Sequence, residues 1–299
     1  MRLVTYDRGG ARRLGAWANE AVVDLPDAVG HPAFPTTMES LVSCAGGTTM
    51  EAAADAVGRP DYWEPCVVRR PRLLVPVLPP LLDSAWLYPS GGVVARPAAG
   101  RLGFEVKLAA VIGPSGSGRT DSAGTPIFGY TLVLAWTTAS VVSGRAVRHF
   151  VGAFVGPCIV TSDEFDPTGQ HLVVRRDGHR HASVPLEAML RGVPELVERA
   201  HVPGRLRPGQ IVGSRVALRT REAAAGPMLK PGTIVDVRAE GMGTLRAIVG
   251  EAGRSSGAST SGRPTTSIGS PPVASEAADR RASLRLLTMA RPAADRASP

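Results

Sequence analysis

Residues 228–249 read "MLKPGTIVDVRAEGMGTLRAIV" and hold two short runs rich in valine, isoleucine and leucine, each bounded by glycine. Runs of this length and composition between glycines predict β-strands. The segment "IVGSRVAL" at 211–218 predicts a further strand just before them. This part of the chain is therefore expected to be mostly sheet.

Strand patterns continue toward the N-terminus. "FEVKLAAVIG" (104–113) alternates at first and then becomes wholly apolar, as a strand does when it enters a core. "HLVVRRDGHRHASV" (171–184) predicts a hairpin, because the dipeptide Asp177–Gly178 suits a tight two-residue turn. Residues 186–202 carry apolar residues at helical spacing, with Pro194 either dividing two short helices or lying in a first turn.

The N-terminal part has a different pattern. Residues 1–25 predict three short strands joined by polar turns. Residues 36–58 predict helix with a Gly–Gly interruption, and four prolines within 71–80 predict an extended linker. We therefore place a domain boundary in the proline-rich segment.

The fold class expected from these elements is α+β and rich in strands. We expect a small N-terminal domain at 1–72, followed at 73–252 by a mixed β-roll or sandwich domain. Residues 253–299 have a Ser, Gly, Pro, Ala and Arg composition that buries too little apolar surface to offset the entropy of ordering. That tail is expected to be disordered.

Composition narrows the class of function. The 299 residues carry a net charge of +8, but 32 of the 34 basic residues are arginine, and only Lys107 and Lys230 are lysine. Half of the excess charge lies in the predicted tail, and no basic run is interleaved with aromatic residues, so we expect no nucleic-acid partner.

Three scattered cysteines and a charged N-terminus favour a cytoplasmic protein. The uncharged run 122–144 contains proline and three glycines, which favours buried core over a membrane span.

The segment "GPSGSGRT" (113–120) nearly matches a phosphate-binding P-loop. Arg119 stands where that loop needs a lysine, and the two groups are not interchangeable. Gly124 and Pro126 would also break the helix that must follow. A polar loop after a strand is the favoured interpretation.

Taken in order, several segments resemble motifs of the fumarylacetoacetate hydrolase superfamily, and the likeness covers roughly residues 1–250. The matching segments are "FEVKLAAVIG" with the family's E-x-E strand, "IFGYT" with G-Y-T, "VGPCIVTSDEFDP" with G-P-W-I-V-T-x-D-E-x-x-D-P, and "MLKPGTIVDVRAEGMGTLRAIV" with the L-K-P-G-D ending. The resemblance implies a homodimer. It also implies a divalent cation, usually Mg²⁺ or Mn²⁺, held by the two glutamates of E-x-E and an Asp after G-Y-T, which stabilises the enolate of a 2-oxo acid or 1,3-diketone.

This chain departs from that implied site. Glu105 matches the first glutamate, but Lys107 occupies the second position, and the expected Asp falls at or beside Ala135. The segment "SAWLYPSGGVV" (84–94), which resembles the family's lid, has no histidine. Glu105 would then be the single remaining metal ligand, so we expect no metal cofactor unless other ligands rebuild a Mg²⁺ or Mn²⁺ site.

Lys107 is the first candidate catalytic residue. Its ammonium, paired with Glu105, would supply positive charge without a metal, or the amine would act as base or nucleophile. The alternative is a salt bridge at the rim of the pocket or an exposed side chain.

Further candidates are basic. Arg145, Arg148 and His149 could bind a substrate carboxylate, and a solvated strand end explains them equally well. His179 and His181 share a strand face but have no evident third ligand, so exposed polarity is favoured over a metal pair.

Two classes of function remain. The first is a diverged small-molecule enzyme acting on a 2-oxo acid, 1,3-diketone or enolisable intermediate by C–C hydrolysis, isomerisation, decarboxylation or cyclisation, consistent with bacterial specialised metabolism. Its partner is a carboxylic or dicarbonyl substrate, with no membrane partner. The second class is a non-catalytic relative that uses the scaffold for binding or assembly.

Overall fold

The computed structural model describes most of the first 252 residues. The described residues are 1–18, 21–59, 63–79, 86–96, 101–114, 126–142, 145–190, 193, 197, 206–214, 218–219 and 229–252. The near P-loop at 115–120 and the predicted tail therefore lie outside the described residues. Among those that are described, no helix is long and apolar enough to cross a membrane.

Strands dominate the described chain. In chain order they are β1 Arg2–Arg8, β2 Ala11–Ala18, β3 Ala21–Asp24, β4 Val67–Val68, β5 Leu87–Tyr88, β6 Gly92–Arg96, β7 Arg101–Ile112, β8 Ile127–Val142, β9 Arg145–Thr161, β10 His171–Arg176, β11 His179–Pro185, β12 Ile211–Gly213, β13 Leu218–Arg219, β14 Ile234–Ala239 and β15 Gly243–Ala252. The helices are α1 Leu25–Val29, α2 Met38–Cys44, α3 Gly47–Val57 and α4 Leu186–Leu190, with a 3₁₀ turn at Glu64–Cys66.

These strands form two sheets. The large sheet has the order β12-β7-β8-β9-β1-β2-β3-β4, with β13 also beside β7 and β5 beside β9. The small sheet has the order β11-β10-β14-β15-β6, and its β15–β6 pair is parallel. The expected strand-rich α+β fold is confirmed.

The two faces of the large sheet pack against different partners, because successive side chains of a strand point to opposite faces. One face meets the small sheet in a core that includes Phe104 and Trp136 of the large sheet and Val237 of the small sheet. The other face forms a second core with the N-terminal helices, which contribute residues such as Leu25 and Leu41. Strand β7 therefore lies between two cores and is apolar along most of its length.

Several local predictions are confirmed. The first 25 residues form β1, β2 and β3, and the Gly–Gly pair separates α2 from α3. The Thr37 side chain caps α2 by accepting a hydrogen bond from the Ser40 N–H at 3.3 Å. In the β10–β11 hairpin, Asp177 and Gly178 both have positive φ, at 49° and 80°, as the predicted turn requires.

The largest difference from the sequence interpretation lies in the hairpin of β8 and β9. The stretch 122–144 was expected only to be buried core, yet from Ile127 it forms a 16-residue strand. It pairs with the 17-residue strand β9, and the ladder runs from Gly129↔Thr161 to Val142↔Arg145. The apolar run lacks an alternating pattern because β8 is buried on both faces over much of its length.

Candidate active site

Strand β7 places Glu105 and Lys107 on one face of the large sheet, since residues i and i+2 of a strand share a face. Their antiparallel partners on β8 are Ala135 for Glu105 and Val133 for Lys107. Ala135 and Val133 both belong to the second core, so the two charged side chains lie on the face that packs toward the N-terminal helices.

Glu105 and Lys107 form a buried ion pair. The Lys107 Nζ lies 3.8 Å from the Glu105 Oε2, and the side chains are 1% and 7% exposed. The sequence alternatives of a rim salt bridge or an exposed lysine are therefore wrong, because the strand that carries Lys107 is covered on both faces. Charged groups in such a place are expected to be paired, since an isolated buried charge is very unfavourable.

The neighbours of Glu105 across the sheet are apolar. Ala135 on β8 pairs with Ala153 on β9, and Ala153 pairs in parallel with Leu87 on β5. All three residues are buried, and all belong to the second core. The segment that resembles the family's lid therefore reaches the same row of the sheet as Glu105, in the form of β5.

Beside Lys107 the pairing along this edge of β7 shifts register by two residues. Strand β12 ends with Gly213 opposite Ala109, and β13 resumes with Leu218 opposite Val106. Between them, the Ser214 N–H donates to the Leu108 carbonyl at 2.6 Å, and the Ser214 Oγ accepts from the Leu108 N–H at 3.2 Å. Irregular pairing of this kind is over-represented beside active sites.

Ser214 was not singled out from the sequence. It is completely buried, and its side chain accepts a hydrogen bond from the Leu108 N–H of β7. The sequence signal that could have found it is "GSR", a glycine followed by a serine within a predicted strand, where a side chain often replaces a lost ladder hydrogen bond.

The described residues do not fit a divalent cation at this place. A magnesium or manganese ion needs several oxygen ligands. Here the residue opposite Glu105 is a fully buried alanine, and an ammonium lies next to the carboxylate. Across the described parts of the chain, no group of three or more His, Cys, Asp or Glu side chains is placed to hold a metal.

The other basic candidates lie toward the far end of the β8–β9 hairpin. His149 is exposed and pairs with Thr138, and the backbones of Arg148 and Arg145 pair with Ala139 and Val142. Along β8, His149 is therefore about 10 Å, and Arg145 about 23 Å, from the row of Glu105, at 3.3 Å per residue. The arginine side chains lie outside the described residues, so a shared carboxylate site stays a prediction.

The sequence interpretation of the two histidines of β11 is confirmed, and the structure also places Cys158. His179 and His181 are exposed on the edge strand β11, as expected for surface polarity. Cys158 is buried core, and its thiol donates to the Met242 carbonyl at 3.3 Å. Burial raises the pKa of Cys158 to about 12, so this thiol is a poor nucleophile at neutral pH.

Comparisons with known proteins agree with this architecture. A sequence model described as the fumarylacetoacetate (FAA) hydrolase C-terminal domain matches residues 70–250. An uncharacterized protein of Pyrococcus abyssi (strain GE5 / Orsay) is 26% identical over 172 residues, which cover 54% of this chain and 74% of that protein.

Solved structures share the fold at low sequence identity. Maleylpyruvate hydrolase from Sphingobium sp. SYK-6, in complex with manganese (II) ion and pyruvate, is 21% identical with a TM-score of 0.61, covering 84% of this chain and 100% of that one. A 5-carboxymethyl-2-hydroxymuconate delta-isomerase from Mycobacterium smegmatis is 18% identical with a TM-score of 0.57 and the same coverage. The family match spans more than half of the sequence and includes β7 to β9, so this chain belongs to the fumarylacetoacetate hydrolase family.

Proposed function

We propose that this chain is a small-molecule enzyme of the fumarylacetoacetate hydrolase family that acts on a 2-oxo acid, a 1,3-diketone or another enolisable carbonyl compound. The observation that carries the proposal is the buried Lys107–Glu105 ion pair, on the strand face that packs into the second core. Perturbed or buried ionisable groups of this kind concentrate at functional sites. Relatives of the same fold include a hydrolase and an isomerase by name, so the scaffold accommodates more than one reaction.

The chemical task of the site is to stabilise negative charge on an oxygen. When a C–C bond next to a ketone breaks, or a proton leaves the adjacent carbon, the carbonyl becomes an enolate. The Lys107 ammonium would donate a hydrogen bond to that oxygen, and its charge is fully effective only where water is excluded. Glu105 would hold the ammonium in place and accept or return a proton.

The side chains that would orient the substrate are proposed from the sequence. Arg145, Arg148 and His149 are the candidates for binding a substrate carboxylate at the hairpin end of β8 and β9. A guanidinium suits this role because its planar fork binds a carboxylate through two hydrogen bonds. The reaction type, whether hydrolysis, isomerisation, decarboxylation or cyclisation, would follow from where the substrate carboxylate is held.

A second candidate function is a non-catalytic scaffold, and the near-complete burial of the ion pair favours it. With only 1% of its side chain exposed, Lys107 meets a substrate only if neighbouring groups move aside. In that case the ion pair would stabilise the fold and the chain would serve in binding or assembly.

Turnover measurements separate these functions. Purified protein is incubated with a panel of 2-oxo acids and 1,3-diketones, with EDTA or with added Mn²⁺, and substrate loss is followed by ultraviolet absorbance. We expect turnover in EDTA that falls by about 10²- to 10³-fold in Lys107→Met, the range seen when a group stabilising an oxyanion is removed.

The matched control is Lys230→Met, which removes the other, exposed lysine and should leave the rate unchanged. Turnover that requires Mn²⁺ would contradict the metal-free proposal. If no compound of the panel is bound or converted, the scaffold function is favoured instead.

A further inference from the structure

We propose that Lys107 is a covalent catalyst whose amine condenses with the ketone carbon of the substrate to form an iminium ion. This inference rests on the proposed function and deepens it, because it names the bond that Lys107 makes. The observation behind it is the juxtaposition of a buried lysine amine and a carboxylate on one face of β7, where the pairing along its edge shifts register.

The first requirement is an amine with a proton acceptor beside it. The Lys107 Nζ lies 3.8 Å from the Glu105 Oε2, and both side chains are removed from solvent. Lysine amines that are desolvated in hydrophobic surroundings form Schiff bases with carbonyl substrates in proteins. Lys230, the other lysine of the chain, is exposed.

The second requirement is a dry environment at the amine. On the same face the pair is flanked by Ala135 opposite Glu105, Val133 opposite Lys107 and Ala109 two residues beyond Lys107 on β7, and all three are fully buried. Along the neighbouring edge the register shifts by two residues between Gly213 and Leu218. A water-poor site also protects an iminium from hydrolysis.

The step balances as follows. Glu105 takes a proton from the Lys107 ammonium, and the free amine attacks the ketone carbon of the substrate, so that a C–N bond forms and the C=O π bond breaks. A second proton then moves from the attacking nitrogen to the resulting alkoxide. Glu105 returns its proton to the hydroxyl group so formed, which leaves as water while the nitrogen lone pair forms the C=N bond. An ammonium and a ketone thus become an iminium and one water molecule, with no change in net charge.

The iminium would do the work that the family assigns to a metal. Its positive nitrogen accepts the electron pair released when the bond at the adjacent carbon breaks or when a proton leaves that carbon. The resulting enamine takes up a proton at carbon, from protonated Glu105 or from water, and becomes the product iminium. Hydrolysis of that iminium by one water molecule regenerates Lys107.

Reductive trapping of the full chain tests the inference directly. The protein is incubated with pyruvate or pentane-2,4-dione, reduced with sodium borohydride, digested, and analysed by peptide mass spectrometry. We expect a reduced adduct on Lys107 that forms faster than any adduct on Lys230, the internal control for non-specific amine chemistry. The absence of an adduct on Lys107, or equal labelling of the two lysines, would overturn the inference.

The substitution Lys107→Arg adds a second readout, because arginine keeps the positive charge but forms no such iminium. Loss of both turnover and trapping in a folded Lys107→Arg protein, shown by an unchanged circular dichroism spectrum, supports covalent catalysis. If Lys107→Arg retains turnover, the inference falls while the proposed function stands. If wild-type protein converts no compound at all, the proposed function fails whatever the trapping shows.

Discussion

Replacing Lys107 by methionine should destabilise the protein strongly, even though methionine is nearly as long as lysine and more apolar. The side chains of Lys107 and Glu105 are 1% and 7% exposed, and their charged atoms lie 3.8 Å apart. Removing one member of a buried ion pair leaves the other charge in the core and costs about 3–5 kcal/mol. For a protein of this size the same cost lowers the melting temperature by roughly 6–20 °C.

The double substitution Lys107→Met with Glu105→Gln provides the internal test of that reasoning. It removes both charges, so the cost of a lone buried carboxylate disappears, and the double variant should be more stable than Lys107→Met alone. The free energy of unfolding is measured by urea titration with tryptophan fluorescence, since Trp136 is fully buried and reports on the core.

Lys230→Met serves as the control for losing a lysine, and as an exposed change it should stay within about 0.5 kcal/mol of wild type. The reasoning is refuted if Lys107→Met also stays within 1 kcal/mol, or if the double variant is the less stable of the two. Either result would mean that the Glu105 carboxylate is stabilised mainly by groups other than Lys107.

Two further outcomes are expected. Burial acts to raise the pKa of Asp24, but hydrogen bonds from Arg13 and Tyr6 outweigh burial, so the pKa is lowered. Asp24 therefore stabilises the fold at a pH above its unfolded pKa of about 3.9, and this stabilisation is lost as the pH falls through the folded pKa. Asp24→Asn should therefore lower the free energy of unfolding by roughly 1.5–3 kcal/mol at pH 7, and the difference in free energy from wild type should shrink below pH 4. Urea titrations at several pH values that give a constant difference would contradict this. The pair of substitutions Lys107→Glu and Ala135→Asp should create a Mn²⁺ site. The melting temperature of this variant should rise by roughly 5–10 °C at a Mn²⁺ concentration 100 times the dissociation constant. A folded variant whose melting temperature does not respond to Mn²⁺ would show that these positions do not have the geometry of a metal site.

The local features of the fold could be predicted because they depend on neighbouring residues alone. The Asp177–Gly178 turn needs positive φ at both positions, and these two residue types tolerate it. The common face of Glu105 and Lys107 follows from the two-residue period of any strand, whatever packs against it. Both conclusions hold without knowledge of the tertiary structure.

Features that depend on distant contacts could not be predicted in this way. The register that puts Ala135 opposite Glu105 depends on strand pairing, which includes a shift between Val111 and Ile112. The burial of Lys107 depends on residues that cover it and lie far away in the sequence. The sequence alone was therefore consistent with either a buried or an exposed Lys107 side chain. The role of Ser214 appears only once its hydrogen bonds to the Leu108 backbone of β7 are seen.

The position of β1 in the large sheet has a consequence for protein synthesis. β1 pairs with β2 on one edge and with the end of β9 on the other, where Arg2 and Leu3 face Val160 and Ile159. The ribosome releases β1 first, but at 5–20 residues per second the matching part of β9 follows only roughly 10–30 s later. During that interval the β1–β2–β3 meander presents an unpaired strand edge, so nascent chains should depend on chaperones until residue 160 has left the exit tunnel.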